Sequence, residues 1–559
     1  MHASLPFRPV ALASLVSALA LGLSACGPQN QSAPAKESAP ATEAATPASA
    51  AAATPDQAAP GTRLTLAVKG EPQQGYDPVK GWGNYGNPLF QSTLLKRDDK
   101  LSLVGDLATQ WGLSKDSKTW TITIRDDAKF ADGQPLTAED VAFTFETAQK
   151  AASTVDLGNL AGVRVVNPTT VEITLHKPQV TFTHLLATLG IVPKHAYADG
   201  YGEAPLGSGP FRLVSWSKGQ QMIAEPNPHY YGKKPEFERI TFLFTEDDAT
   251  VAAANAGQVN VASVPPALSR QVPGNMVKVS VKTVDNRGIM FPTVPAQGQQ
   301  TEEGFDLGNS VTADPAIRKA VNMAINRQQL VDGVLGGHGV PAWGVADNLP
   351  WDNPEHRLSD NDMAGAEKLL QAAGWKKNAN GVLEKNGVQA RIPLLYFSND
   401  STRQALALAV ADMVKPLGIV FEVAGKTREE VKRLKHSSAV LYGWGQHSPI
   451  EMYNLYLSSK AGKGSYNTGF YKNPKVDAYL EAAERANSFD ESLPHWKNAQ
   501  WDGKTGLGMK GDAPWAWLVN LDHVYFVDKC LDIGPRQIEP HGHGYPITWN
   551  VQDWKWMCK

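Results

Sequence analysis

Cysteine is scarce in this 559-residue chain: only Cys26, Cys530 and Cys558 are present. No Cys-x-x-Cys, His-Glu-x-x-His or Gly-x-Ser-x-Gly motif occurs, so a redox enzyme or a hydrolase has no visible machinery. Charge of one sign is missing too. The 53 Lys and Arg against 56 Asp and Glu leave a formal net charge of −3 and no basic patch, which argues against a nucleic-acid partner. Internal repeats are absent. "GWGNYG", residues 81–86, has the spacing of a nucleotide loop but neither the preceding strand nor the following helix, and reads as a turn carrying aromatics. Long apolar runs are also missing. "VALASLVSALALGLSA", Val10 to Ala25, is shorter and richer in small residues than the roughly 20 apolar residues of a membrane-spanning helix.

That short run follows Arg8 and ends in small residues, the pattern of a secretory signal over residues 1–25. Its exit, Leu23-Ser24-Ala25-Cys26, resembles the lipobox of bacterial lipoproteins. The resemblance implies lipidation of Cys26 and a periplasmic or otherwise extracytoplasmic protein, attached to the membrane through its lipid alone. Residues 26–60 are rich in Ala, Pro, Ser and Thr without hydrophobic periodicity, which predicts a disordered, extended tether. Cys530 and Cys558 either form one disulfide in such an oxidising compartment or stay as two buried thiols.

From Leu64 onward strand and helix patterns alternate, which predicts an α/β body. "LTLAV" and the period-two "WTITIRDDAKF" read as strands, as do "VEITLHKP" and "ARIPLLYF". "LTAEDVAFTFETAQ" begins a helix with Thr137 as N-cap and Asp140 in the capping-box position. "ADPAIRKAVNMAINRQQLVDGVLGG" reads as one helix, with Asp314 as N-cap, Pro315 in its first turn and Gly336-Gly337 closing it. "MAGAEKLLQAAGW" is a further amphipathic helix.

"DLATQWGLSKDSKTWTITIRDDAKFADGQPLTAEDVAFTFE" (residues 106–146) resembles the signature region of the solute-binding proteins that serve ABC importers of peptides and nickel, family 5. "IVPKHAY", "PLGSGPFRLVSWSKGQ", "NPHYYGKKPEFERITFLF" and "LLQAAGW" extend the likeness in order. The resemblance implies a two-lobed periplasmic-binding-protein fold of type II, with an inserted subdomain and closure about a hinge. Carried onto this chain, residues 61–285 form lobe I with the insertion at about 105–205. Residues 286–520 form lobe II, and 521–559 return to lobe I. It further implies a monomeric receptor rather than an enzyme, with an ABC permease and its ATPase subunits as partners and a small molecule as ligand.

Peptide-binding members are expected to hold the peptide amino terminus with an aspartate in a segment that corresponds here to "YGWGQHSPIEMYNLY", residues 442–456. The aspartate's place falls at Gly445, and no carboxylate occurs before Glu451. The segment, and the tail with "HGHGYPITW", look instead like nickel-binding members. The expected cargo is therefore Ni(II) or a similar metal as a chelate with free histidine or another small molecule, with no permanently bound cofactor. Di- or oligopeptides are the alternative. His447, His541 and His543 are the candidate metal ligands. The bland reading of the last two is a glycine turn. Tyr442, Trp444, Tyr85 and Tyr545, with Trp82, are the aromatic candidates for the cleft. Arg287 is the candidate for a chelator carboxylate, with an ion pair as its competing role. His338 is expected to cap a helix C-terminus. A metallohydrolase using Asp522, Asp528 or Glu539 as base, and a receptor feeding a sensor, are more distant readings.

Overall fold

The computed structural model describes residues 62–558 other than 152, 154 and 543. The signal, Cys26, the tether and His543 lie outside the described residues. Among those described, no helix is long and apolar enough to cross a membrane.

Two mixed sheets organise the body. The first has seven strands in the order Met276–Val281, His523–Asp528, Val261–Val264, Arg63–Val68, Arg239–Phe244, Gln221–Pro226, Phe211–Ser217. The second has six, ordered Gly339–Pro341, Trp515–Leu521, Asn286–Met290, Ala439–Trp444, Arg391–Phe397, Val420–Lys426. Every residue of Trp515–Leu521 and of Asn286–Met290 is buried, because helices or loops cover both faces there. That explains why Trp515–Leu521 reads as a nearly continuous rather than alternating apolar run, while the other strand buries Asn286 and Arg287 as well. A separate four-stranded antiparallel sheet, Ala108–Leu113, Thr119–Ile124, Thr170–Leu175, Leu160–Asn167, packs one face on the helix Ala138–Ala151. Here the alternation is plain: Trp120, Ile122 and Ile124 point inward from one strand, Val171, Ile173 and Leu175 from the next.

The chain passes between the two large sheets twice in adjacent places. Lys282 to Asp285 link Met276–Val281 to Asn286–Met290, and Asp522 links Trp515–Leu521 to His523–Asp528. The crossings are tied to each other: Thr283 Oγ1 donates to Leu521 O (2.5 Å) and Leu521 N to Asp285 O (3.0 Å). The tail joins them, with Glu539 N donating to Lys282 O and Val284 N to Glu539 O, both at 2.9 Å.

The single helix expected over 314–337 is two. Pro315–Ala324 stops at Ile325, which is extended, and Asn326 caps Arg327–Gly333 through a bond from Gln329 N. The break delivers Arg327 to the interior. Its guanidinium donates to Ala342 O and Trp517 O (both 2.8 Å) and pairs with Asp360. His338 does not cap the helix. Its ring bonds Ser280 Oγ at 3.1 Å and lies 3.3 Å from Lys278 Nζ, on a strand of the first sheet. Cys530 and Cys558 form a disulfide that closes the terminal hairpin of Leu531–Asp532 and Lys555–Trp556.

Asp314 caps its helix as expected, accepting from Ala316 N at 2.9 Å, and also accepts from Trp375 Nε1 and Lys385 Nζ. Asp314→Ala should therefore cost about 2 kcal/mol, the upper end for a lost cap, read as a fall in the urea midpoint. A change below about 0.5 kcal/mol would mean the two side-chain bonds contribute nothing.

Candidate functional site

Asp285 stands at the end of the first crossing with 1% of its surface exposed. A lone buried carboxylate there would be costly to keep charged. Three groups from three segments meet it. Arg287, two residues on, pairs with it from the second sheet. His523 Nε2, from the first sheet, lies 3.0 Å away, and His541 Nδ1, from the tail, 2.5 Å away. Burial would raise the Asp285 pKa, but Arg287 and the two histidines hold it well below the usual carboxylate range.

The two imidazoles differ in charge. Burial opposes protonation of His523, but its bonds to Asp285 and to Glu539 (Nδ1, 2.6 Å) outweigh burial and push its pKa up to about 9. Glu539 also accepts from Tyr525 Oη at 2.7 Å. His541 moves the other way, its pKa lowered by burial despite Asp285. It is therefore neutral at pH 7, with the Nδ1 proton given to Asp285. A carboxylate behind one ring nitrogen fixes the tautomer, as it does for many metal-binding histidines.

The loop after Ala439–Trp444 forms the facing wall. His541 N donates to Gly445 O at 2.8 Å, joining the tail to the second sheet. Gly445 has φ +159°, and a Cβ there would stand 2.5 Å from Val284 O, so the crossing segment passes where a side chain would be. Trp444 stacks on Tyr466 (ring centroids 5.4 Å apart), and Tyr85 lies against His541 at 5.6 Å. Arg403, bonded to Asp400 at 2.7 Å, reaches Gly443 beside Arg287; burial and that neighbouring charge lower its pKa to about 10.

Several buried polar atoms in this wall have no hydrogen-bond partner among the described residues: Trp444 Nε1, His447 Nε2, Gln446 Oε1, Glu451 Oε1 and Asn454 Oδ1. Such groups are uncommon in folded proteins, and an ordered water or a ligand can satisfy them. Burial pushes Glu451 up to about 8, a carboxyl kept largely neutral although its other oxygen accepts from Gln446 N at 3.0 Å. Burial, with Arg97 next, drives His447 down to about 3, and the same two causes act on His184.

Of the residues expected from sequence, Tyr85, Arg287, Trp444 and His541 gather around this junction, with Tyr442 beside Trp444, while His447, three residues past Trp444, lies near Arg97 and His184. Tyr545 goes elsewhere. It is buried under the first sheet between Trp82 (5.7 Å) and Phe242 (5.0 Å), so both it and Trp82 serve that core. His543 lies outside the described residues. Asp285, His523, Glu451 and Arg403 were not singled out. No local motif marks them, and Asp285 meets His523 and His541 from 238 and 256 residues away.

Residues 102–466 match the model of bacterial extracellular solute-binding proteins, family 5. The chain is 32% identical to protein XP55 of Streptomyces lividans over 85% of its own length and 86% of the relative's. This chain belongs to that family. It is a solute-binding protein of the peptide/nickel class of ABC importers and not an enzyme. Two further relatives are similar over most of the chain. The probable D,D-dipeptide-binding periplasmic protein of Escherichia coli is 28% identical, covering 71% of this chain and 76% of its own. The structure of NikZ from Campylobacter jejuni in complex with Ni(L-His) aligns with a TM-score of 0.78 at 26% identity, covering 89% of this chain and all of that one. The fold is accordingly the mixed α/β binding-protein fold expected from the sequence.

Proposed function

We propose that this protein captures a chelate of nickel or a similar transition metal between the two sheets and presents it to a membrane permease. In this reading residues 61–285 with 521–559 move as one lobe against 286–520, and the paired crossings at Lys282–Asp285 and Asp522 act as the hinge. The observation that carries the ligand assignment is the Asp285–His541 pair: a neutral imidazole held through Nδ1 by a buried carboxylate. His447, neutral and with Nε2 unpartnered, is a second donor in the same wall. Arg97 has no carboxylate partner among the described residues and suits a chelator's acid group. Lipidation at Cys26 would hold the body at the membrane.

One observation favours di- or oligopeptides instead. Gln446 Oε1, Glu451 Oε1 and Asn454 Oδ1 are three unfilled acceptors within nine residues, and they suit an ammonium group.

Thermal unfolding of the metal-free protein separates the two. A ligand at 100 times its Kd adds about 2.7 kcal/mol of stability. Ni(II) with L-histidine should raise the midpoint in wild type and Glu451→Gln but not in His541→Ala. A rise with a dipeptide mixture alone, lost in Glu451→Gln, would replace the metal reading with the peptide one.

A further inference from the structure

A second polar cluster lies in the segment that leads from the strand Gly339–Pro341 to the helix Met363–Ala372. Asp347, Asp352 and His356 each offer one ligand atom, and these atoms all lie within 4.8 Å of one another. Most of their bonding capacity is accounted for. Asp347 Oδ2 accepts from the amides of Trp343 (2.5 Å) and Gly344 (3.0 Å), and its Oδ1 from Arg357 Nη2 at 3.1 Å. Asp352 Oδ2 accepts from the same Arg357 nitrogen at 2.7 Å. Among the described residues, Asp352 Oδ1 and His356 Nε2 are buried without a hydrogen-bond partner.

His356 is 1% exposed, so water does not solvate its ring. A Cβ built on Gly344 would stand 2.9 Å from His356 Nε2 and 3.8 Å from Asp347 Oδ1, so the unpartnered nitrogen faces the carboxylates. Burial, then Arg357, drives the ring down to about 3, which keeps it neutral. Two carboxylates against one guanidinium leave the cluster one positive charge short. On the far side of the ring the Met509 amide approaches Nδ1 at 3.4 Å, the long limit for such a bond, so the tautomer is held only weakly.

We propose that Asp347, Asp352 and His356 form a structural site for a divalent transition-metal cation of the zinc type, separate from the transported ligand. One imidazole and two carboxylate oxygens suit zinc better than the all-oxygen preference of calcium or magnesium. Metal bonds of about 2.0–2.2 Å place ligand atoms roughly 3.4 Å apart, so loading draws the three side chains together by about 1 Å. Loading also puts the ring proton on Nδ1, which displaces the Met509 amide. A cavity of about 10 Å³ beside His356, lined also by Gly344 and Gln500, has room for the water that would complete a tetrahedral set. Arg357 keeps its bonds to Asp347 Oδ1 and Asp352 Oδ2 and its place over the Trp343 ring, its carbon 4.8 Å from the centroid.

The test is zinc and cobalt binding by the chelator-stripped full-length protein, with His541→Ala and His447→Ala together as the background so that neither cleft histidine contributes. One equivalent of zinc should bind and raise the unfolding midpoint, and Co(II) should give a visible d–d band. Adding His356→Gln or Asp352→Asn should weaken binding at least tenfold and remove the band, whereas Ca(II) should shift nothing. If His356→Gln fails to fold, the partly exposed Asp352→Asn decides. Zinc binding unchanged in the Asp352 variant, or none in the His541→Ala/His447→Ala protein, overturns the proposal.

Discussion

Asp285→Ala should lower the stability of the body by about 3–5 kcal/mol, the cost typical of breaking a buried ion pair from one side. The substitution leaves the buried Arg287 without its paired carboxylate and His523 with Glu539 alone. It also removes the anchor of His541. Because crossings, tail and both sheets meet at this carboxylate, the loss should appear in the whole unfolding transition and not as local fraying. Urea unfolding at pH 7 measures it. Asp285→Asn should recover little, since an amide keeps the shape but not the charge. In the double variant Asp285→Asn/His523→Gln the two costs should add to clearly less than their sum, because one buried cation is withdrawn with its partner. A loss under about 1 kcal/mol for Asp285→Ala would mean water reaches the cluster and the charges are already screened.

Alkaline solution should weaken the protein through His523. Its pKa rises from 6.5 to about 9 on folding, so the folded state holds the proton more tightly. The stabilisation is complete below pH 6.5 and disappears as pH rises through 9. One pKa unit corresponds to about 1.4 kcal/mol, so roughly 3 kcal/mol is at stake across that window. Glu451, raised to about 8, loses its proton over a lower window and weakens the protein in the same direction. The informative quantity is therefore the difference between the parent and its His523→Gln variant, both in a Glu451→Gln background. That difference should shrink steadily from pH 6.5 to pH 9.5. A constant difference would show that His523 keeps one protonation state throughout and that Asp285 and Glu539 do not govern its charge.

Local chemistry made much of the fold legible. The alternation in Thr119–Ile124 and Thr170–Leu175 and the caps at Thr137 and Asp314 are written within a few residues, and the structure contains them where the pattern places them. The break at Ile325 was hidden, because the apolar spacing of Ile317, Val321 and Ala324 runs on smoothly into it. What stops that helix is distant: Arg327 must reach the carbonyls of Ala342 and Trp517. The site divides the same way. Trp444 and His447 sit in a segment whose composition draws attention, whereas Asp285 is an ordinary acid until His523 and His541 arrive from the far end of the chain. Tyr545 shows the converse. A tyrosine beside conspicuous histidines invites a ligand role, yet its backbone, at φ +56°, turns the ring down onto Trp82 and Phe242.

The pairing of His523–Asp528 between Val261–Val264 and Met276–Val281 sets a timetable for synthesis. A chain made from its amino terminus has every other strand of the first sheet long before residue 523 appears. Until then two strands, one of them central in the finished sheet, present open edges, the form in which chains pair with strangers. Contacts over such separations also form slowly. The last forty residues thus decide when the nascent chain stops being prone to aggregate, and a ribosome stalled short of them would release a product that a chaperone must hold.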